Sequence, residues 1–471
     1  MLELPIDFAE RMKVLLGGEY DAFCDALCNE ESVKGLRVNT HKVYVCEFEK
    51  NSPFSLEKIP YVEGGFIVPD SEGAGKHPYH HAGAYYMQDP GAMSAVAALP
   101  EEIWEQGGLK ILDLCAAPGG KTTQLAAKCA KNGGVVLSNE YVTSRSRILA
   151  GNVERMGLSN VAVTNLDSKY IAEDYPNVFD LVVVDAPCSG EGMYRKNDNA
   201  INEWSLENVK MCAERQKEII ENAAKTVAPG GYLLYSTCTY STEENEGVVA
   251  EFLDAHPDFS LCRCNENLEK HTSDGIDVTG GKRPELAFCR RFYPHVCRGE
   301  GQFAALLRFD GEAEKNTAPN GFTEPDKNDR RAAEEFMKET LGHVLDGLCV
   351  IGGNLAVFPL YKTINLPKRG LVSAGVILGE SRKGRIVPHH HYFMAFGNQF
   401  VSKYAMECDE EAVLRYISGE EIAVPDGLSG YTALLLKVGN AEITLGGGKA
   451  VGGRLKNYYP KGLRQLNLYR G

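Results

Sequence analysis

The feature that most constrains the fold is the alternation of short apolar segments with helical patterns between residues 110 and 236. One apolar segment, Asp180–Val184 (DLVVV), ends in four consecutive apolar residues, as expected for a strand buried on both faces. Alternating strands and helices are typical of a doubly wound parallel sheet, whose ligands bind at the carboxyl ends of the strands. The sequence therefore predicts an α/β domain with its site on that edge of the sheet.

The predicted elements of this domain follow one another in a regular order. Strands are predicted at Lys110–Leu114, Val135–Asn139, Val161–Val163, Asp180–Val184, Tyr232–Ser236, Ala287–Tyr293 and Gln302–Arg308. Helices are predicted at Thr122–Ala130, Thr143–Met156 and Glu207–Val227. We expect the last helix to be ended by the turn-forming residues Pro229, Gly230 and Gly231.

The rest of the chain divides where turn-forming residues interrupt the apolar pattern. The segment Asp310–Asp329 is polar, contains two prolines and has no apolar period, so it reads as a linker. A softer boundary lies within residues 64–83, where glycine, proline and histidine are frequent. We therefore expect an N-terminal segment, 1–84, a central domain, 85–310, a linker, 311–330, and a C-terminal segment, 331–471.

Composition argues against several classes of protein. No run of about 18 apolar residues occurs, so we expect no membrane-spanning helix. The N-terminus lacks the basic start and apolar block of a signal peptide. The 14 cysteines include no C-x-x-C pair, which disfavours a zinc site or a disulfide framework. We therefore expect a cytoplasmic protein with reduced thiols and no metal ion.

Charge is distributed unevenly along the chain. The formal net charge is −14, yet residues 311–471 carry slightly more basic than acidic side chains. The stretch from 449 to 471 has no acidic residue and six basic ones, namely Lys449, Arg454, Lys456, Lys461, Arg464 and Arg470. A local basic surface binds phosphates even on an acidic protein, because salt screens distant charges. A solvated basic tail is the alternative interpretation.

A glycine-containing loop, DLCAAPGGK at residues 113–121, lies between the first predicted strand and its helix. Gly119 and Gly120 leave room for the backbone to approach a ligand, and the start of the helix offers unpaired N–H groups. The spacing differs from G-x-G-x-x-G, which disfavours a dinucleotide with its pyrophosphate. The loop therefore predicts a nucleoside site of another kind.

Acidic residues follow the next three predicted strands. Glu140 ends the second strand, where its carboxylate can accept hydrogen bonds from two ribose hydroxyls. Asp167 follows the third strand, within reach of an adenine amino group, and Asp185 ends the fourth, near the reactive end of such a ligand. This set favours an adenosine without a long anionic tail, and S-adenosylmethionine fits. Glycine turns and strand-end acids also arise from topology alone in α/β folds.

Two cysteines follow neighbouring strands. Cys188 lies in DAPCSGEG after the fourth strand and Cys238 in STCTYS after the fifth, so both thiols can face one pocket. A thiolate that adds to carbon 6 of a pyrimidine makes carbon 5 nucleophilic enough to take a methyl group. Asp185 could stabilise charge at ring nitrogen 3, and a second thiolate could remove the carbon 5 proton. Lone cysteines are usually inert core residues, so the prediction depends on the pair.

These motifs resemble the Nop–Sun family of RNA cytosine-5 methyltransferases, and within it the RsmB/RsmF-type enzymes of bacterial 16S ribosomal RNA. The stretches that carry the resemblance are DLCAAPGGKTTQLA, DAPCSGEGMYRK and YSTCTYSTEENE in the centre, GLRVNTHK near the front, and GLVSAGVILGESRKGRIVPHHH and GGGKAVGGRLKNYYPKGLR near the end. The match over about 85–310 is specific, because both cysteine motifs occur in order with the loop motif.

The resemblance implies a Rossmann-like S-adenosylmethionine-dependent methyltransferase domain with an N-terminal RNA-contacting extension and a C-terminal PUA-like RNA-binding domain. It implies that Cys238 is the nucleophile and that Cys188 assists product release. The implied cofactor-binding residues are Cys115, Ala116, Ala117, Pro118, Gly119, Gly120, Lys121, Glu140, Asp167 and Asp185.

RNA contacts are expected at both ends of the chain. The resemblance places Arg37 and Asn39 of a short R-x-N motif against RNA. In the C-terminal segment we expect contacts from Lys449, Arg454, Lys456, Tyr458 and Lys461. There a tyrosine between basic residues can stack on a base beside the phosphates, although plain sheet core is the alternative for it.

We therefore expect a monomeric enzyme that methylates carbon 5 of cytosine in RNA, most specifically in small-subunit 16S ribosomal RNA. Transfer RNA as the substrate is one alternative, and a non-catalytic ribosome-assembly protein that binds RNA is another. A nicotinamide-dependent oxidoreductase would need a longer glycine motif and would leave Cys188 and Cys238 unexplained.

Overall fold

The N-terminal region combines four helices with a small sheet in a computed structural model that describes residues 2–314 and 320–465. Its elements are α1 Ile6–Leu16, α2 Tyr20–Cys28, β1 Lys34–Val38, α3 Val45–Lys50, β2 Glu57–Lys58, β3 Gly65–Val68, α4 Pro78–His81 and β4 Tyr85–Met87. The strands lie in the antiparallel order β2-β3-β1-β4. Helix α1 buries Phe8 and Met12, which share one face because they are four residues apart. The Phe8 ring packs edge-on against Tyr194 of the central region, with centroids 5.1 Å apart.

The central region is built on a large sheet with helices on both faces. Its elements are α5 Pro90–Ala97, β5 Lys110–Asp113, α6 Gly120–Cys129, β6 Val135–Asn139, α7 Thr143–Met156, β7 Val161–Thr164, α8 Ser168–Asp174, β8 Phe179–Asp185, α9 Asp198–Asn202, α10 Leu206–Ala224, β9 Val227–Thr237, α11 Glu246–Ala255, β10 Phe259–Cys262, α12 Glu266–Glu269, β11 Ser273–Asp274, β12 Arg290–Phe292 and β13 Gln302–Phe309. No helix in the described ranges combines the length and the apolar character needed to cross a bilayer.

The strand order is β11-β12-β13-β9-β8-β5-β6-β7, and the five strands from β9 to β7 are parallel. The direction of winding reverses at β5, so the carboxyl ends of β5 and its neighbours form the crevice where α/β sheets bind ligands. The apolar runs on β5, β6 and β8 are buried on both faces, as their sequences predict. The predicted α/β class with a Rossmann-like sheet is confirmed.

Two predicted boundaries in this region are wrong. Helix α10 ends at Ala224, and Pro229, Gly230 and Gly231 lie inside strand β9 instead of ending the helix. Gly230 has a φ of +75°, and the pairing of β8 with β9 shifts register at this point, so the turn formers make an irregularity within a strand. The predicted strand Ala287–Tyr293 shortens to β12, because a 3₁₀ turn from Pro284 to Phe288 precedes it.

The C-terminal region contains two further sheets. Its elements are α13 Lys327–Leu341, β14 Leu348–Ile351, β15 Asn354–Val357, β16 Leu371–Ala374, β17 Val376–Arg382, β18 Arg385–Pro388, α14 His390–Phe396, β19 Lys403–Met406, α15 Glu411–Ile417, β20 Ile422–Ala423, β21 Gly430–Val438, β22 Ala441–Val451 and β23 Arg454–Asn457. One sheet has the order β14-β15-β17-β18, and the other has the order β19-β21-β22-β23-β20. Helix α14 packs on both β22 and α7 of the central region.

Strand β16 belongs to the central sheet although it lies within the predicted C-terminal segment. It pairs antiparallel with β7, with Ser373 opposite Val163 and Ala374 opposite Ala162. Without it, β7 would present a row of unpaired backbone groups at the edge of the sheet. Through β16, the segment 331–471 contributes a strand to the central sheet and packs directly on the central domain.

The second half of the predicted linker is also packed. The ring of Phe322 stacks on Tyr361 with centroids 4.9 Å apart, and the carbonyl of Thr323 accepts a hydrogen bond from the Val350 N–H at 2.9 Å. Helix α13 begins within the predicted linker, at Lys327, and its N-terminus is capped by the preceding aspartate. Residues 315–319 lie outside the described residues.

Candidate active site

The loop that connects β5 to α6 is held firmly at the carboxyl edge of the sheet. Asp113 at the end of β5 accepts a hydrogen bond from Thr122 in the first turn of α6, with 2.6 Å between Oδ2 and Oγ1. The carbonyl oxygen of Ala117 accepts from Arg145 Nη2 of α7 at 2.8 Å. Burial raises the pKa of Asp113 to about 7. The loop is thus tied both to its own helix and to the next one.

Both glycines of the loop are closely packed by neighbouring side chains. Gly119 has a φ of +111°, in the left-handed region, and a Cβ there would lie 3.0 Å from Leu149 Cδ1. A Cβ at Gly120 would lie 3.1 Å from the side-chain amide of Gln88. Besides leaving room for a ligand to approach, Gly119 and Gly120 are packed closely by Leu149 and Gln88.

Carboxylates lie at the ends of the two strands beyond β5. Glu140 at the end of β6 is buried; its Oε1 accepts from the Val142 N–H at 2.8 Å, and its Oε2 lies 3.8 Å from Arg145 Nη1. Asp167 follows β7 and caps α8 by accepting a hydrogen bond from the Lys169 N–H at 3.0 Å. Both carboxylates therefore have fixed positions on the same edge as the loop.

Asp185 at the end of β8 links the loop to the strand that precedes Cys238. Its Oδ2 lies 2.7 Å from Lys121 Nζ, and its Oδ1 accepts a hydrogen bond from Ser236 Oγ at 2.8 Å. Gln302 of β13 also donates to Oδ1, at 3.3 Å. The sequence does not predict Ser236 or Gln302 as site residues, although a polar residue that ends an otherwise apolar strand is a signal that could have found Ser236.

The chemistry of these groups fits an adenosine-containing sulfonium cofactor. Glu140 provides a carboxylate for ribose hydroxyls, while Asp167 and Asp185 add negative charge on neighbouring strand ends. Lys121 is paired with Asp185 and is not free to bind a pyrophosphate. Burial raises the pKa of the Cys115 thiol well above its usual range, so this residue contributes no charge. The residues present therefore suit S-adenosylmethionine better than a dinucleotide.

The two cysteines meet at this edge. Strands β8 and β9 are adjacent and parallel, with Asp185 opposite Ser236, so the loops that follow them lie side by side. The sulfur atoms of Cys188 and Cys238 are 3.1 Å apart, and both residues are partly accessible. The hydrogen bond to the Cys238 sulfur, together with burial, raises the pKa of Cys188 well above its usual range. Either sulfur can be the donor in this contact, and the Cys188 thiolate is disfavoured by its surroundings.

Arg37 and Asn39, which the sequence associates with RNA, are buried in the structure. Arg37 is 4% exposed, and its guanidinium donates to Gly120 O at 3.1 Å and to Thr123 Oγ1 at 2.7 Å. Asn39 is fully buried and donates to Met156 O at 2.9 Å. Both side chains join the N-terminal region to the central one, because their donors have partners inside the protein.

The basic residues near the C-terminus lie mostly at the surface. Lys449 and Lys456 are exposed and directly opposite each other on β22 and β23. Lys449 Nζ lies 5.5 Å from the ring centroid of Tyr431, which is opposite it on β21 and 6.1 Å from the half-buried ring of Tyr458. Two more expected contacts, Arg454 and Lys461, are also exposed. Of the remaining basic residues of this stretch, Arg464 packs against Gly419, and Arg470 lies outside the described residues.

Three family profiles match successive parts of the chain. "16S rRNA methyltransferase RsmB/F" matches residues 103–308, the N-terminal domain of 16S rRNA methyltransferase RsmF matches residues 4–90, and the methyltransferase RsmF PUA domain matches residues 403–465.

The chain is also similar to solved structures. A methyltransferase homolog protein from Pyrococcus horikoshii is 29% identical with a TM-score of 0.55, over 64% of this chain and 94% of that one. NSun6 from Pyrococcus horikoshii, at 20% identity and a TM-score of 0.53 over 65% of this chain and 99% of that one, shares the fold.

Relatives match over nearly the full length of the chain. The protein named Ribosomal RNA small subunit methyltransferase F from Vibrio cholerae serotype O1 (strain M66-2) is 31% identical over 484 residues, covering 99% of each chain. The protein of the same name from Vibrio atlanticus (strain LGP32) is 32% identical over 488 residues, again with 99% coverage of both. Together with the paired cysteines and the cofactor loop, these matches show that the chain belongs to the RsmB/F family of 16S rRNA methyltransferases.

Proposed function

We propose that this protein methylates carbon 5 of a cytosine in 16S ribosomal RNA with S-adenosylmethionine as methyl donor. The observation that carries the proposal is the 3.1 Å separation of the Cys188 and Cys238 sulfurs, beside the loop and carboxylates that suit the donor. Its relatives are named for the small ribosomal subunit, which favours that RNA as the substrate.

Cys238 acts as the nucleophile in this proposal. Its thiolate adds to carbon 6 of the cytosine, and the new C–S bond turns the ring into an enamine whose carbon 5 is nucleophilic. When bound, S-adenosylmethionine supplies a methyl group activated by its sulfonium centre. As the enamine forms, ring nitrogen 3 takes up a proton from solvent, and Asp185, held by Lys121 and Ser236, accepts a hydrogen bond from that N–H.

Cys188 assists release of the product. As the proton leaves carbon 5, its electrons form the C5–C6 double bond, the C6–S bond breaks, and Cys238 departs as a thiolate. The base that takes this proton is a water molecule that Cys188 orders, or the Cys188 sulfur after it has released its own proton to solvent. The closeness of the two sulfurs supports this division of roles, since one thiol can exchange a proton with the other.

The three parts of the chain have different roles in this proposal. Residues 85–310 carry the chemistry, and residues 1–84 support the cofactor loop through Arg37. Residues 331–471, joined through the segment 311–330, offer Lys449, Arg454, Lys456 and Lys461 to phosphates and Tyr458 to a base. A paired cytosine must be unstacked to reach the thiol, so single-stranded or pre-opened sites are preferred. We propose that the protein acts as a monomer in the cytoplasm.

The test is methyl transfer from labelled S-adenosylmethionine to small-subunit RNA. Cys238→Ala should abolish incorporation, and Cys188→Ala should accumulate a covalent protein–RNA adduct that survives denaturation. Cys46→Ala is the matched control, because Cys46 is exposed in the N-terminal region and should leave activity unchanged. An adduct that persists in the Cys188→Ala/Cys238→Ala double variant would overturn the role of Cys238.

Bisulfite mapping of RNA from cells with and without the protein identifies the substrate. Loss of one or more 5-methylcytosines from 16S ribosomal RNA is the expected result. A loss confined to transfer RNA would reassign the substrate and leave the chemistry in place. No loss in either RNA would contradict the proposed activity and favour a non-catalytic role in ribosome assembly.

A further inference from the structure

Two buried glutamates that the mechanism does not use lie behind the cysteine pair. Glu191 follows Cys188 by three residues and is 1% exposed, and Glu244 follows Cys238 by six residues and is 0% exposed. A buried carboxylate is costly unless its oxygens accept hydrogen bonds. Their partners therefore indicate what these side chains do.

Each glutamate binds the loop that carries the other cysteine. Glu244 comes from the Cys238 loop, and its Oε2 accepts from the N–H of Ser189, next to Cys188, at 2.9 Å. Its Oε1 accepts from the Ser189 hydroxyl at 2.5 Å. Glu191 comes from the Cys188 loop, and its Oε2 accepts from the Thr239 hydroxyl, next to Cys238, at 2.9 Å and from the Tyr240 N–H at 3.0 Å. Each loop is thus held in place by a glutamate from the other loop.

The hydrogen bonds of the two glutamates lie close together and extend into the core. The hydroxyl oxygens of Ser189 and Thr239, which donate to the two carboxylates, are 2.9 Å apart, so the two sets of hydrogen bonds lie side by side. Trp204 Nε1 donates to Glu191 Oε1 at 2.8 Å, and Gln216 Nε2 donates to Glu244 Oε2 at 2.8 Å and to Pro187 O at 3.0 Å. Buried hydrogen bonds of this kind hold the loops that make them rigidly.

We propose that Glu191 and Glu244 are positioning residues that hold the two sulfurs at proton-sharing distance, and that the negative charge of Glu244 keeps the shared proton on Cys188. Glu244 binds the residue adjacent to Cys188, so its charge acts most strongly on that thiol. With the proton on Cys188, Cys238 is left as the hydrogen-bond acceptor, which is the form that attacks carbon 6. The significance for methyl transfer rests on the proposed function, whereas the effect on the thiols does not.

The charge of Glu244 changes near neutral pH. Burial raises its pKa to about 7, while the hydrogen bonds from Ser189 and Gln216 oppose that rise. The other titratable groups that act on Glu244 or feel its charge are Glu191, Cys188, Cys212, Tyr194, Tyr235 and Arg11. Burial raises the pKa of Glu191 as well. As pH rises through about 7, Glu244 becomes charged and Cys188 is held more firmly as a thiol.

The test measures the two thiols directly, without RNA or cofactor. The intact protein is alkylated with iodoacetamide between pH 6 and 8.5, and the modified peptides of Cys188 and Cys238 are quantified by mass spectrometry. In the wild type the ratio of Cys238 to Cys188 modification should rise with pH, with a midpoint near 7. In Glu244→Gln the ratio should lose this midpoint and fall at least about threefold at pH 8, because the charge that biases the proton is gone.

Glu243→Gln is the matched control. Glu243 is the adjacent residue, but it pairs with Arg11 at the surface, 2.6 Å away, and its variant should follow the wild-type profile. If Glu244→Gln does not fold, Ser189→Ala keeps the proposal testable, since it removes one hydrogen bond to the charged carboxylate and should move the midpoint to higher pH. Unchanged ratios in Glu244→Gln or an unmoved midpoint in Ser189→Ala would overturn the role of the charge.

Methyl-transfer kinetics test the positioning role. Glu191→Gln should lower kcat for RNA methylation with little change in KM, because the sulfurs are misplaced while the RNA-binding residues are untouched. A rise in KM at unchanged kcat would contradict this role. If the alkylation ratios change as expected but the protein methylates no RNA, the role of the glutamates stands and the proposed function is wrong. Failure of the proposed function is therefore distinguishable from failure of this proposal.

Discussion

Strand β1 in the N-terminal region and strands β22 and β23 in the C-terminal region both carry basic residues that the sequence associates with RNA. Their side chains differ in burial. Arg37 on β1 is buried and gives its hydrogen bonds to the cofactor loop and α6, whereas Lys449 and Lys456 are exposed. A buried cation contributes to stability or catalysis through fixed geometry, and an exposed one contributes to binding through screened attraction. The same residue class therefore requires different tests in the two regions.

The largest expected effect is at a buried cation in the active site. Lys121 is almost fully buried and lies 2.7 Å from Asp185, so Lys121→Met leaves that carboxylate without its cation. Methyl transfer should fall about 100-fold in kcat/KM, as expected when one preorganised charged group is lost. Lys131→Met, at an exposed position, is the control and should retain activity. A loss of less than about threefold for Lys121→Met would show that this burial is unimportant for chemistry.

Arg37→Ala should produce a large loss of stability. Three internal acceptors, on Gln88, Gly120 and Thr123, lose their donor, and we expect the free energy of unfolding to fall by about 2–4 kcal/mol. Urea denaturation measures this difference. Arg298→Ala breaks an exposed ion pair with Glu57 and should cost less than about 1 kcal/mol. Equal effects of the two substitutions would remove the distinction between buried and exposed cations.

A third prediction concerns the pH dependence of the unfolding free energy at Lys42, another buried cation. Its ammonium donates to Ala82 O at 2.8 Å, and burial lowers its pKa to about 7. Between about pH 7 and 10.4 the unfolded chain binds a proton that the folded protein releases, so stability should rise with pH over this window and be lost as pH falls through 7. One such group changes the free energy of unfolding by at most about 1.4 kcal/mol per pH unit.

Comparing Lys42→Met with the wild type isolates this contribution, because the other titrating groups cancel in the difference. The gap in unfolding free energy between wild type and variant should change steadily between pH 7 and 9.5. A constant gap over this range would mean that Lys42 keeps its ordinary pKa in the folded protein.

The smallest expected effect on stability is at the two exposed lysines of β22 and β23. The double substitution Lys449→Ala/Lys456→Ala should leave the unfolding free energy within about 0.5 kcal/mol of the wild type. RNA affinity should weaken, and the slope of log affinity against log salt should decrease by about 1.4, or about 0.7 for each lost phosphate contact with single-stranded RNA. Lys403→Ala on β19, at the opposite edge of the same sheet, is the control. An unchanged salt slope would exclude these two lysines from the RNA interface.

Much of the central sheet could be predicted, because the information is local. The four apolar residues of 181–184 predict a doubly buried strand, and the structure has β8 there with both ends shifted by one residue. Helix α7 and strand β6 match their predicted bounds. The proximity of Cys188 and Cys238 also follows from pattern, since loops after neighbouring parallel strands meet at one edge.

Other features could not be predicted because they depend on partners far away in the chain. Burial of Arg37 depends on Thr123, and the place of β16 depends on β7, about 200 residues earlier. Gly447 is needed because a Cβ there would lie 2.3 Å from the ring of Phe393, on helix α14. The reciprocal contacts of Glu191 and Glu244 likewise connect two loops whose sequences show no sign of each other.

By itself, the sequence determined the class of fold, the order of strands and helices around the cofactor loop, and the pair of thiols, because period and strand-end position are properties of neighbouring residues. Only the tertiary structure decided which charges are buried, which edge strand completes the central sheet and how the cysteine loops are braced. The reason is that burial and hydrogen-bond partnership depend on which distant segments pack together, and neither is encoded at a single position.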